Sequence, residues 1–145
     1  MNKHTEVKIL LVEDNEGDIV LTLEALRKAK VTNSVQVVRD GEEALEYLKK
    51  EGNYTNAQTP NLILLDINLP KVDGKEVLME IKNDKNLMII PVVMLTTSDS
   101  EKDIMYSYQH HANCFITKPV DLNKFMDMVQ KLNDFWITVV QLPNK

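Results

Sequence analysis

Five short runs of apolar, β-branched-rich residues recur along the chain: VKILLV (7–12), SVQVV (34–38), LILL (62–65), PVVML (91–95) and NCFIT (113–117). Runs of this length and composition are strand candidates. Segments with helical spacing lie between and after them, over 17–30, 41–51, 73–83, 100–111 and 121–136. A βα unit repeated five times, with strands apolar almost throughout, predicts a parallel sheet covered on both faces and wound with right-handed crossovers. That is a doubly wound α/β architecture.

Local signals sharpen the boundaries. Asp40 precedes GEEALEYLKKEG, which carries acids in its first turn and lysines in its last, so Asp40 is the expected N-cap and Gly52 the expected terminator. SEKD (100–103) reads as a capping box with Asp in the Glu position. Pro91 and Pro119 fall at strand ends, where a missing N–H is tolerable. The polar stretch EGNYTNAQTPN (51–61) is the longest expected loop. At 145 residues with 43% hydrophobic content, the chain suits one globular unit. We expect it to span 6–136, followed by a tail over 137–145 with no separate effector domain.

A net charge of −5 argues against a nucleic-acid or anionic-membrane surface, because both need clustered Lys and Arg. A protein partner or a cation fits better. No apolar segment has the length of a signal-peptide core or a membrane span, so a cytoplasmic location is expected. Cys114 is the lone cysteine and reads as a small buried hydrophobe.

Open α/β sheets bind ligands beyond the carboxyl ends of their strands, where strand order reverses. At that edge the first run ends in Glu13 and Asp14, the third in Asp66, the fourth in Thr96 and Thr97, and the fifth in Lys118; the second delivers nothing similar. Taken singly, Asp14 or Asn15 could simply cap the first helix, Thr96 could satisfy backbone, and Lys118 could be an ordinary surface lysine. Asp66 is harder to dismiss, since it ends a strand buried on both faces and has no evident helix to cap.

Together these residues say more. Three carboxylates about 5 Å apart repel by roughly 3 kcal/mol per pair at an effective dielectric near 20. Lys118 offsets part of that, and a hard divalent cation the rest. Mg²⁺ suits a site of few carboxylates that awaits a phosphate. No His or Cys sits among these positions, which argues against zinc, and His110 and His111 diverge on a helix. A carboxylate beside Mg²⁺, a lysine and a hydroxyl is equipped to accept a phosphoryl group itself, with Asp66 as nucleophile.

With VEDN, LLDINLP, DG, MLTTSD and TKP in this order, the sequence resembles the receiver domain of two-component response regulators over about residues 6–136. The resemblance implies a flavodoxin-like sheet in the order 2-1-3-4-5 and phosphotransfer from a sensor histidine kinase to Asp66. It also implies Asp14 as direct Mg²⁺ ligand, Glu13 as the companion acid acting through water, and Asn68 as donor of a backbone carbonyl to the metal. Thr96 falls at the switch hydroxyl and Lys118 at the phosphoryl-pairing lysine, whose bond to Pro119 is often cis in the family. Phe115 occupies the aromatic switch position, where it can fill space but donates no hydrogen bond. VEDNEGDIVLTLEAL, the 52–74 block and the FW…LP tail look like single-domain regulators that accompany phytochrome-type photoreceptor kinases.

Without an effector domain, output is expected through protein contacts. In the last helical segment Leu122, Phe125, Met126, Val129 and Trp136 form a stripe expected to face the sheet, while Met128, Leu132 and Phe135 widen it. Met128, Leu132, Phe135 and Trp136 are therefore interface candidates for a homodimer or docked partner, against the alternative of a broad core face closed by the tail. Three further readings compete: a phosphorelay intermediate or phosphate sink, a pseudo-receiver, and an Asp-nucleophile phosphatase. The phosphatase needs a second acid two residues after its nucleophile, and Asn68 cannot serve.

Overall fold

Alternation within the apolar runs decides how the chain is layered, because successive strand side chains point to opposite faces. In the computed structural model, which describes residues 7–29, 33–97 and 114–131, the strands are β1 (Val7–Val12), β2 (Asn33–Val38), β3 (Leu62–Asp66), β4 (Val92–Thr96) and β5 (Cys114–Thr117). They pair in parallel in the order β2-β1-β3-β4-β5. Ile9, Leu11, Leu62, Leu64, Val93, Leu95 and Ile116 face one way and pack with Ile19 and Leu26 of α1 (Glu16–Lys28) and Phe125 of α4 (Leu122–Lys131). Leu10, Val12, Ile63, Leu65, Val92 and Met94 face the other way, against Ala44 and Leu48 of α2 (Gly41–Lys49) and Val77, Leu78 and Ile81 of α3 (Gly74–Lys82). The doubly wound architecture and its strand order are as expected. The helical segment expected over 100–111, with its SEKD box, lies outside the described residues.

Side chains fix the helix starts. Asn15 caps α1 by accepting from the Asp18 N–H at 2.9 Å, Asp40 caps α2 by accepting from Glu43 at 2.7 Å, and Asp73 caps α3 by accepting from Lys75 at 2.7 Å. Of the two candidates for the first cap, Asn15 does the work, which leaves Asp14 exposed at the sheet edge. The end of α2 differs from expectation. Lys50, not Gly52, takes the left-handed C-cap conformation (φ 59°), and Gly52 (φ +59°) then opens a single 3-10 turn, Gly52–Tyr54.

The last helix corrects the sequence reading. Met128 is 2% exposed within the core, so it is no interface residue, whereas Met126, expected to face the sheet, is 39% exposed. The apolar arc is centred on Phe125, with Leu122 and Met128 about 60° to either side and Met126 about 100° away. Leu132, Phe135 and Trp136 lie outside the described residues. Cys114 is buried, as expected of a small hydrophobe. Among the described residues, no helix is long and apolar enough to cross a membrane.

Candidate functional site

Strand order brings the ends of β1 and β3 together at the point where the chain reverses direction across the sheet. Glu13 follows β1 and is held by its N–H to the Val38 carbonyl (3.0 Å). Its side chain has no exposed surface, and Asp66 is only 3% exposed. Carboxylate oxygens of Glu13, Asp14 and Asp66 all lie within 4.8 Å of one another. An all-oxygen set of this kind, part buried and part open, fits a hard divalent cation and not zinc.

Lys118 arrives from beyond β5. Its main-chain N–H donates to the Thr96 carbonyl (2.6 Å), and its peptide bond to Pro119 is cis. The ammonium is 3.0 Å from Glu13 Oε1, 3.0 Å from Asp18 Oδ2 and 3.3 Å from Asp66 Oδ2. Burial alone would depress the lysine's pKa. The hydrogen bonds to Glu13 and Asp18 and the charge of Asp66 outweigh that and hold it above its ordinary value. Burial pushes the Glu13 carboxyl up to about 7; the Lys118 hydrogen bond lowers it, and the neighbouring Asp66 charge raises it again.

The loop after β3 shapes the opposite wall. The Asn68 N–H donates to Asp66 Oδ1 (3.2 Å), the Ile67 N–H to the Leu95 carbonyl (2.9 Å), and the Gly74 N–H to the Ile67 carbonyl (3.0 Å). A Cβ on Gly74 would lie 2.1 Å from the Asp66 carbonyl, and one on Gly41 would lie 1.9 Å from the Val72 carbonyl. The loop is thus wedged between the first turns of α2 and α3. Thr96 is buried at the end of β4, and Phe115 is half-buried against the α2/α3 face of the sheet.

The structure therefore gathers Glu13, Asp14, Asp66, Asn68, Thr96 and Lys118 at one edge and sets Phe115 nearby on the sheet. Sequence reasoning missed Asp18. Its signal was available, since Asn15 as cap fixes the phase of α1 and puts residue 18 in the first turn, facing the site. Nor is the end of β2 empty. Arg39 pairs with Glu16 at 2.8 Å, and Lys71 lies 3.8 Å from both Asp40 and Glu42. Apart from the part-buried Asp40, the partners in these rim pairs are solvent-exposed, and each pair is worth about 1 kcal/mol or less.

A raised Glu13 pKa has a measurable consequence. Between about pH 4.5 and 7 the folded protein keeps a proton on Glu13 that the unfolded chain has lost. The native state then binds more protons, so the contribution of Glu13 to stability is fully present below that window and is lost as pH rises through it. In chelator, the melting temperature of the wild type is expected to fall from pH 5 to 7 more steeply than that of Glu13→Gln. Equal slopes would refute this. A divalent cation held beside Glu13 favours its ionised form, so cation affinity is expected to rise across the same window.

Comparison with known proteins places this geometry. A family model described as the response regulator receiver domain matches residues 9–130. Among curated proteins, the response regulator Rcp1 of Synechocystis sp. is 47% identical over 135 residues, covering 93% of this chain and 92% of its own length. The Mn²⁺-bound crystal structure of Rcp1 superposes with a TM-score of 0.78, covering 94% of this chain and 99% of that one. The phosphorylated cyanobacterial phytochrome response regulator RcpA gives a TM-score of 0.79 at 52% identity, covering 95% and 99%.

Proposed function

The chain belongs to the response regulator receiver family, and from that premise we propose that it is a phosphorylatable switch whose phosphoacceptor is Asp66. One observation carries the reading: a buried carboxylate at the tip of the central strand, in ligand reach of Glu13 and Asp14 and 3.3 Å from Lys118. Lys118 and the Asn68 N–H each take one oxygen of the Asp66 carboxylate, which aims it without demanding reorganisation at the moment of attack. The phosphoryl group of a sensor histidine kinase passes from the histidine nitrogen to an Asp66 oxygen. Asp14, Asp66, the Asn68 carbonyl and, through water, Glu13 would hold Mg²⁺, which would neutralise charge on the phosphoryl oxygens. The same oxygen donors and the Mn²⁺-bound state of Rcp1 support a divalent ion here.

Phosphorylation adds about −1.5 to −2 charge. Thr96 then moves toward the phosphoryl oxygens and Phe115 turns into the space it leaves, biasing an equilibrium that already exists. Output passes through protein contacts made by the 100–111 segment, β5, α4 and the 137–145 tail of the 6–136 receiver unit. There Leu132, Phe135 and Trp136 remain candidates for a homodimer or docked partner. The kinship with RcpA supports a phytochrome-type kinase upstream. The phosphatase alternative loses ground because the Asn68 side chain cannot act as an acid.

Phosphotransfer from a panel of radiolabelled histidine kinases tests the reading. We expect label to move to this protein within the first minutes from its cognate kinase, and to stop when Mg²⁺ is chelated. Absence of labelling from every kinase and from small phosphodonors would overturn it. A monomeric mass, both with and without a phosphoryl mimic, would count against the homodimer alone.

A further inference from the structure

We propose that Asp18 is a positioning residue for phosphoryl transfer, acting through Lys118. The inference rests on Asp66 being the phosphoacceptor and adds a group beyond the site residues assigned above. An ammonium has three N–H donors, and carboxylates of three different elements meet Lys118: Glu13 at 3.0 Å, Asp18 at 3.0 Å and Asp66 at 3.3 Å. The contact to Asp66 is the longest. Hydrogen bonds to Glu13 and Asp18 keep the nitrogen where it is, while Lys118 can direct its third donor to an incoming phosphoryl oxygen beside its ion-pair partner Asp66.

Asp18 is built to hold. Its N–H is bound by Asn15 Oδ1 (2.9 Å), and its carbonyl accepts the hydroxyl of Thr22 (2.8 Å), a residue only 1% exposed. The first turn of α1 is thereby locked, and the Asp18 side chain, only 25% exposed, has its charge spent on Lys118. The lysine comes from a chain segment 100 residues away and has four rotatable side-chain bonds, so without such anchors its nitrogen would sample many positions. Asp18 also lies outside the three-carboxylate cluster, so its loss disturbs the lysine more than the metal ligands.

The test is self-phosphorylation by a small phosphodonor such as acetyl phosphate, at saturating Mg²⁺, in the full chain. Losing a hydrogen bond to a charged group predicts a fall of about tenfold in the maximal rate for Asp18→Asn. The Mg²⁺ dissociation constant and the half-saturating phosphodonor concentration should stay within about twofold of wild type, and Asp18→Glu should recover part of the rate. Circular dichroism, with Asp18→Ser as a second charge-removing variant, separates folding from chemistry.

A maximal rate unchanged in the folded charge-removing variants, or an equal loss in Asp18→Glu, would overturn the proposal. With wild type labelled and Asp66→Asn unlabelled, such a result removes the role of Asp18 alone. Wild-type protein that takes no label removes the phosphoacceptor reading and this inference together.

Discussion

Asp66→Asn is expected to take up no phosphoryl label from kinase or small phosphodonor, while folding normally and melting higher than wild type in chelator. The chemical half follows from the nucleophile. An amide offers no carboxylate oxygen to attack phosphorus. The thermal half follows from electrostatics. Asp66 is a buried charge beside Glu13 and Asp14, and like charges at such separations repel by roughly 3 kcal/mol per pair. Asn removes that repulsion, and Lys118 keeps Glu13 and Asp18 as partners, so no ammonium is orphaned. Mg²⁺ should raise the melting temperature of the variant less than that of wild type. Phosphate-affinity gels and paired melts decide the matter. Stoichiometric label on the variant would remove Asp66 from its role.

Gly74→Ala is expected to damage stability and chemistry together. The added Cβ would meet the Asp66 carbonyl at 2.1 Å, the Ile67 carbonyl at 2.7 Å and the Ile67 Cα at 2.8 Å. All three are backbone atoms, so no flexible side chain can swing aside. The glycine has no positive φ, and crowding rather than handedness demands it. Relief requires the β3–α3 loop or the start of α3 to move, at a cost of about 3 kcal/mol. A shift near 1 Å at the phosphoacceptor lowers the labelling rate by about 100-fold. Gly17→Ala is the control. Its nearest obstacle is the Asn15 side chain at 3.3 Å, and stability there should stay close to wild type. Denaturant titration and labelling kinetics measure both quantities, and a Gly74→Ala protein as stable and as fast as wild type would contradict the crowding argument.

What could be read from the chain alone is what local rules determine. The strands and their two faces follow from apolar runs and period-2 alternation, and Asp66 and Lys118 were visible as polar residues at strand ends. The less legible features depend on contacts between distant segments. Gly41 reads as an unremarkable first residue of a helix until Val72, more than thirty residues later, is seen pressed against it. Asp18 reads as a first-turn acid favoured by the helix dipole until Lys118 arrives. Met126 and Met128 exchange places because apolar identity does not say where the centre of a helix's buried arc falls. Only packing against the sheet fixes that rotation, and it centres on Phe125. The terminator of α2 was misplaced by two residues because glycine is the usual left-handed cap, yet Lys50 adopts that conformation itself.

Lys118 meets Glu13 across 105 residues of sequence. Synthesis runs from the amino terminus at about 5–20 residues per second, so the acids leave the ribosome several seconds before the lysine that completes them. During that interval the emerging chain carries carboxylates with no ammonium to aim them. A translation product that stops short of residue 118 lacks the last helix and its core residue Phe125 as well as the lysine, so it completes neither the core nor the site.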